Sequence, residues 1–259
     1  MELWTDMHIK TLLPSILIMA VVALVLGKCL MKRSERIRML PFQIVAVFLF
    51  VLEIFKQTIS FSRGYDLYHI PLHFCSLFVF MLPLMSFYRG KHQNAVRAIT
   101  VGLCASVFIL MSAYPALIYS ATDVELYFRD FFAFHTVTFH NAVILEFFLI
   151  IALRLFVPQG GKKDTKPLLL FMLCYCVIAS VAAQLLKTNF NNFYQCNVPP
   201  LEELRQSIMV SLGATLTQTL YVMIVTVLDL GFVFGAYWLY RLLYQLTRPV
   251  FSRKKCVEV

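Results

Sequence analysis

The side chains in this sequence that could do chemistry lie within or beside apolar runs. Cys75 is a potential nucleophile, because a thiol becomes reactive when a neighbouring base or cation favours the thiolate, and an imidazole can supply either. His73 precedes it by two residues; on an α-helix the two would point to different sides, which makes His140, from a later run, the better base for Cys75. Glu53 and Lys56, His135, and Asn189 and Asn192 complete a set of polar residues suited to binding a substrate. Each also has a plainer reading. Glu53 and Lys56 are spaced i, i+3 and can neutralise one another on one helix face. His73 can donate to a carbonyl freed by Pro71. A buried cysteine usually packs as a small hydrophobe, and Glu146 and Asp229 can join helices to one another.

The elements that carry these residues are set by composition. Of 259 residues, 60% are hydrophobic and 14% charged; a soluble domain carries roughly 25% charged residues. A soluble protein still needs a polar surface, so the excess points to lipid as solvent. Seven stretches reach the ~20 apolar residues of a spanning helix: residues 11–31, 41–60, 68–88, 95–119, 131–156, 167–187 and 217–240. They predict an all-α, polytopic bundle in one domain covering residues 1–259. Basic residues alternate between the connections: one set holds 17 and the other 5, with Lys56 inside a run. An excess of Lys and Arg marks the cytoplasmic side, so the expectation is seven spans in a cell membrane, N-terminus outside and C-terminus inside. That topology brings Glu53, Lys56, His73, Cys75, His135, His140, Asn189 and Asn192 to the outer half of the membrane. The longest outer connection follows Asn189 with Pro199-Pro200-Leu201-Glu202-Glu203, which predicts a short interfacial helix.

Several function classes are disfavoured. The net charge of +9 comes from short clusters between apolar runs, the pattern of membrane topology and not of nucleic-acid binding. Seven cysteines, an odd number mostly inside apolar runs, do not form a disulfide framework. His69 and His73 are four apart with Pro71 between them and no acidic third ligand nearby, so neither a metal nor another cofactor is expected. The run at residues 11–31 lacks a basic leader and a small-residue cleavage site, so it is expected to remain as a span. Cys256-Val257-Glu258-Val259 departs from a prenylation box at Glu258 and reads as a basic tail.

The run Ile70-Pro71-Leu72-His73-Phe74-Cys75-Ser76-Leu77, with Leu82-Pro83-Leu84, resembles the signature of the YwaF-like integral membrane proteins. Tyr114-Pro115, the segment from Phe131 to His135, Phe139-His140-Asn141, and the stretch from Asn189 to Leu204 fit the same pattern. More distantly, the chain is similar to eukaryotic multi-pass proteins that transfer fatty acyl chains onto ether phospholipids through a cysteine and a histidine. That resemblance implies Cys75 as nucleophile, with His73 or His140 assisting, and membrane lipids as partners. The alternative is a transporter or channel for a small polar solute along Glu53, Lys56, Glu146 and Asp229; a receptor-like role rests on span number alone.

Overall fold

The computed structural model describes residues 4–118 and 120–252; the basic tail read at Cys256 lies outside them. In chain order the α-helices are α1 (Asp6–Leu30), α2 (Glu35–Arg38), α3 (Leu40–Ser62), α4 (Phe78–Phe87), α5 (Gln93–Ala113), α6 (Ala121–Glu125), α7 (Phe131–Ala152), α8 (Lys162–Leu186), α9 (Pro199–Leu212) and α10 (Ala214–Ser252). No strand occurs among the described residues. Among the described residues, six helical stretches are long and apolar enough to cross a bilayer: Asp6–Leu30, Glu35–Ser62, Gln93–Ala113, Phe131–Ala152, Lys162–Leu186 and Ala214–Leu246. The protein is therefore an all-helical, polytopic bundle.

The expected span at residues 68–88 takes a different form. Its apolar helical part is only Phe74–Phe87, about 21 Å at ~1.5 Å per residue against a hydrocarbon core of ~30 Å. The cause is local. Pro71 has no N–H, and it holds Ile70 in an extended conformation (φ −57°, ψ 130°). Residues before it form the 3-10 turn Leu67–His69 and residues after it the 3-10 turn Phe74–Leu77, ahead of α4.

Contacts divide the chain into two units, Met1–Lys56 with Phe78–Leu168 and Val233–Val259, and Gln57–Leu77 with Leu169–Phe232. In the first unit α5 is the most enclosed helix, buried continuously from Ala98 to Val107. Here α1 packs on α7 through small residues: Gly27 comes so close that a Cβ would lie 3.1 Å from the Ala152 Cβ and 3.2 Å from its carbonyl oxygen. Lipid offers no hydrophobic drive between helices, so close backbone approach at small residues does the joining. Gly27→Leu is expected to lower stability by about 1–3 kcal/mol through overpacking, visible as a lower unfolding midpoint in detergent, with Gly27→Ala milder.

Two arginines close the end of α7. Arg38 Nη1 donates to the Leu153 carbonyl (2.9 Å) and Arg97 Nη1 to that of Leu155 (3.0 Å), while Arg97 also pairs with Glu35. Cations at a helix C-terminus meet its orphan carbonyls and the negative end of its dipole.

In the second unit, the connection after α8 is pinned by the fully buried Phe190 and Phe193. Gln184 and Gln218 both donate to the Phe193 carbonyl, at 2.8 and 3.0 Å. The predicted short helix is present as α9, with Pro199 in its first turn and Gly213 (φ 83°) ending it. Leu201, Leu204, Ile208 and Leu212 are exposed along it. Arg205 grips Glu202 with two bonds (2.8 and 2.6 Å), and the Cys196 N–H donates to the same carboxylate (2.9 Å).

These contacts, the Arg205 bonds foremost, hold the Glu202 pKa down at about 2. A depressed carboxylate contributes stability that is fully present above its ordinary pKa and is lost as pH falls through the folded value. Amide-exchange protection at Cys196 is expected to decline between pH ~4.5 and ~2, and Glu202→Gln should abolish that dependence.

Candidate functional site

In the first unit, α3 and α7 each contribute to one buried polar cluster. Lys56 Nζ lies 3.1 and 3.3 Å from the two Glu53 oxygens, the i, i+3 pair expected from the sequence. From α7, His135 Nε2 lies 3.0 Å from Glu53 Oε2. Glu53 and His135 are 6% and 7% exposed, so the cluster is shielded from bulk water. One carboxylate thus accepts from an ammonium and an imidazole on different helices.

His140, one turn and a residue beyond His135, is also buried. Its Nδ1 is 2.7 Å from the Thr136 carbonyl. A carbonyl only accepts, so Nδ1 carries the proton and Nε2 is the basic nitrogen of the neutral ring. Further along α7, Glu146 is fully buried, and among the described residues neither of its carboxyl oxygens has a hydrogen-bond partner.

The second unit holds His73, Cys75, Asn189 and Asn192. His73 Nε2 donates to the Tyr68 carbonyl (3.0 Å), three residues before Pro71, which leaves Nδ1 as its basic nitrogen. Its ring packs on Tyr68 and edge-on against Phe190. Cys75 is half-buried and sits on the 3-10 turn rather than on an α-helix, so the α-helical angle between His73 and Cys75 does not apply. The turn is held from α8, where the Tyr175 hydroxyl donates to the Leu72 carbonyl (3.2 Å). Tyr175 lies within electrostatic reach of both Cys75 and Asp229.

The asparagines shape their own loop. Asn191 and Asn192 adopt positive φ (48° and 63°), a region asparagine tolerates better than most residues. Asn189 Oδ1 accepts from the N–H groups of Tyr194 and Gln195, both at 3.2 Å. Tyr221 donates to the Asn192 carbonyl (2.6 Å), and Asn191 Nδ2 donates to Asp229 Oδ2 (2.5 Å). The Asn192 side-chain oxygen is buried with no partner among the described residues.

The structure therefore joins Glu53, Lys56 and His135 directly, places His140 on the same helix as His135, and keeps His73 and Cys75 on one non-α segment. Tyr175 was not singled out by its sequence position; it is one aromatic among many in an apolar run, and only the fold shows that it supports the Cys75 turn. Among the described residues, no three His, Cys, Asp or Glu side chains are placed to hold a metal.

Among the described residues, six helices long and apolar enough to cross a bilayer and one shorter apolar helix define a multi-pass membrane protein. Residues 3–247 match the model of the TMEM164 family, and the chain belongs to that family. No curated protein and no solved structure matches it.

Proposed function

We propose that this TMEM164-family protein is a membrane enzyme that transfers acyl chains between lipids, with Cys75 as the nucleophile. The observation that carries the reading is the broken backbone around Pro71. Non-helical backbone in an apolar run is tolerated where protein or a polar cavity satisfies its groups, and this segment carries the half-buried Cys75 two residues after His73, whose Nε2 is committed to a backbone carbonyl.

In the reaction, the Cys75 sulfur attacks a lipid ester carbonyl, the C–O bond breaks, and the departing lipid alkoxide takes the thiol's proton through a histidine. The hydroxyl of a second lipid then attacks the thioester, giving its proton back through the histidine to the sulfur. No cofactor is consumed. His73 and His140 are the candidate bases, each with one ring nitrogen committed to a backbone carbonyl. Glu53, Lys56, His135, Asn189 and Asn192 are assigned to substrate binding and to holding the helices that carry it. Of the residues named for the transport alternative, Glu53 and Lys56 bond to each other and Asp229 to Asn191, while Glu146 is buried with no hydrogen-bond partner among the described residues.

The experiment is to incubate purified protein with a phospholipid carrying a labelled acyl chain and to look for a hydroxylamine-sensitive adduct on Cys75. The expected result is labelled thioester on wild type and none on Cys75→Ser. An adduct absent from folded wild type, with lipid composition unchanged in a deletion strain, would refute the reading. Orientation belongs to the same proposal: a reporter in the connection at residues 192–202 is expected outside, and one fused after Val259 in the cytoplasm.

A further inference from the structure

Basic side chains from separate connections gather at one end of the first unit. Gly27 late in α1 meets Ala152 at the end of α7. Arg38, just before α3, and Arg97, early in α5, reach the carbonyls of Leu153 and Leu155 beyond that same end. Asn94 in the first turn of α5 donates to Asp164 near the start of α8 (3.3 Å). Arg89, after α4, joins them: its Nη2 donates to the Ser86 carbonyl (2.8 Å), which also accepts from Gln43 early in α3 (3.2 Å).

The cations at this end are exposed, and its carboxylates are already engaged. Lys32, Arg33 and Arg36 between α1 and α3, Arg89 and Lys91 between α4 and α5, and the lysines among residues 162–166 are all exposed. None of them is in an ion pair among the described residues. The described acids at this end are Glu35 and Asp164. Glu35 pairs with Arg97 and lies within electrostatic reach of Arg38 and Arg89 as well. Asp164 is fully buried and accepts from Asn94, the Gly160 N–H and the Tyr237 hydroxyl. The exposed positive charge is therefore uncompensated among the described residues. Setting orientation needs only an excess of basic residues in the connections; it does not need them gathered around one over-committed carboxylate. The connection carrying Lys32, Arg33 and Arg36 joins two spanning helices directly, so lipid head groups are the anions nearest to it, within about a Debye length of ~8 Å.

We propose that this surface binds anionic phospholipids whose head groups carry phosphate monoesters, of the phosphatidylinositol bisphosphate type. Guanidinium forks match phosphate oxygens with paired bonds, and Arg33, Arg36 and Arg89 supply them from two connections while Lys32 and Lys91 add point charges. A phosphate monoester brings about −1.5 to −2 charge in a compact group. A zwitterionic head group brings its own cation into a field that is already positive. The binding rests neither on acyl transfer at Cys75 nor on which side of the membrane this end faces.

The test uses the purified full chain in uncharged detergent with a fluorescent dioctanoyl phosphatidylinositol bisphosphate, read by anisotropy. Detergent solution has no sides, so a charge that only sets orientation does not affect the measurement. Unlabelled lipid is expected to displace the probe, and dioctanoyl phosphatidylcholine to compete at least about tenfold less well, at about fivefold per cation engaged. Inositol trisphosphate, which has phosphates but no chains, should also compete at least about tenfold less well, because chains hold the lipid in the micelle. Lys32→Gln with Arg33→Gln, and separately Arg89→Gln with Lys91→Gln, should each weaken binding about tenfold or more with unchanged size-exclusion elution. If one pair does not fold, the other decides. Arg129→Gln, which removes an exposed cation just before α7 and so at the opposite end, should leave binding unchanged. Equal competition by phosphatidylcholine would overturn the proposal, as would full binding in a folded paired variant or an equal loss in Arg129→Gln. Equal competition by inositol trisphosphate would overturn it too, in favour of a soluble phosphate compound.

Discussion

Glu53→Leu is expected to destabilise the protein by about 3–5 kcal/mol, the cost of removing one partner from a buried ion pair. The Lys56 side chain is 13% exposed, so its ammonium would lose its carboxylate in a place where water cannot fully replace it. His135 would lose the acceptor for its Nε2 as well, so two helices are affected by one substitution. The control is the double variant Glu53→Gln with Lys56→Met, which removes both charges together and should be tolerated better than Glu53→Gln alone. In a double-mutant cycle of unfolding midpoints, this appears as strong non-additivity. Additive losses would mean that each residue is held chiefly by other partners, and the ion pair would then not be what stabilises the cluster.

Much of this arrangement was legible from residue pattern, and the limits fall where contacts become long-range. Hydropathy located the spans, because a helix in lipid satisfies its backbone internally and needs only length and apolarity. The Glu53–Lys56 pair was legible because i, i+3 neighbours on a helix meet whatever the tertiary fold. The addition of His135 was not, since it depends on how α7 docks on α3 across 82 residues of sequence. The stretch at residues 68–88 carried its own warning in Pro71, but average hydropathy over a window does not register one missing N–H. The helical geometry assumed for His73 and Cys75 consequently gave way to a 3-10 turn.

The asparagine-rich stretch shows a related limit. The sequence puts Asn189 and Asn192 among the substrate-binding candidates, yet Asn189 Oδ1 bonds within its own loop, and Asn191 and the Asn192 carbonyl bond to α10. Binding and loop-building call for the same residues, so type alone could not separate them.

The acyl-transfer reading makes its largest prediction on rate. Cys75→Ser should lower transfer about 10⁴-fold or more, as loss of a nucleophile typically does, while protein abundance stays normal because size and polarity are nearly kept. Loss of the general base should cost about 10²–10⁴-fold, which makes His73 and His140 separable by substitution. His140→Gln is more informative than His140→Ala, because a glutamine amide can still donate to the helix backbone where Nδ1 now bonds the Thr136 carbonyl, yet it cannot accept a proton. If His140 is the base, the Gln variant folds normally, loses rate, and loses the acidic limb of the kcat/KM pH profile. If His140 only braces α7, the Gln variant keeps both, and the same pair of measurements on His73→Gln assigns the base there. Thiol alkylation gives an independent reading, since a base that favours the thiolate accelerates labelling of Cys75. Labelling and rate that both survive in His73→Gln and His140→Gln would remove histidine activation from the mechanism. Full transfer activity in Cys75→Ser would remove the thioester itself.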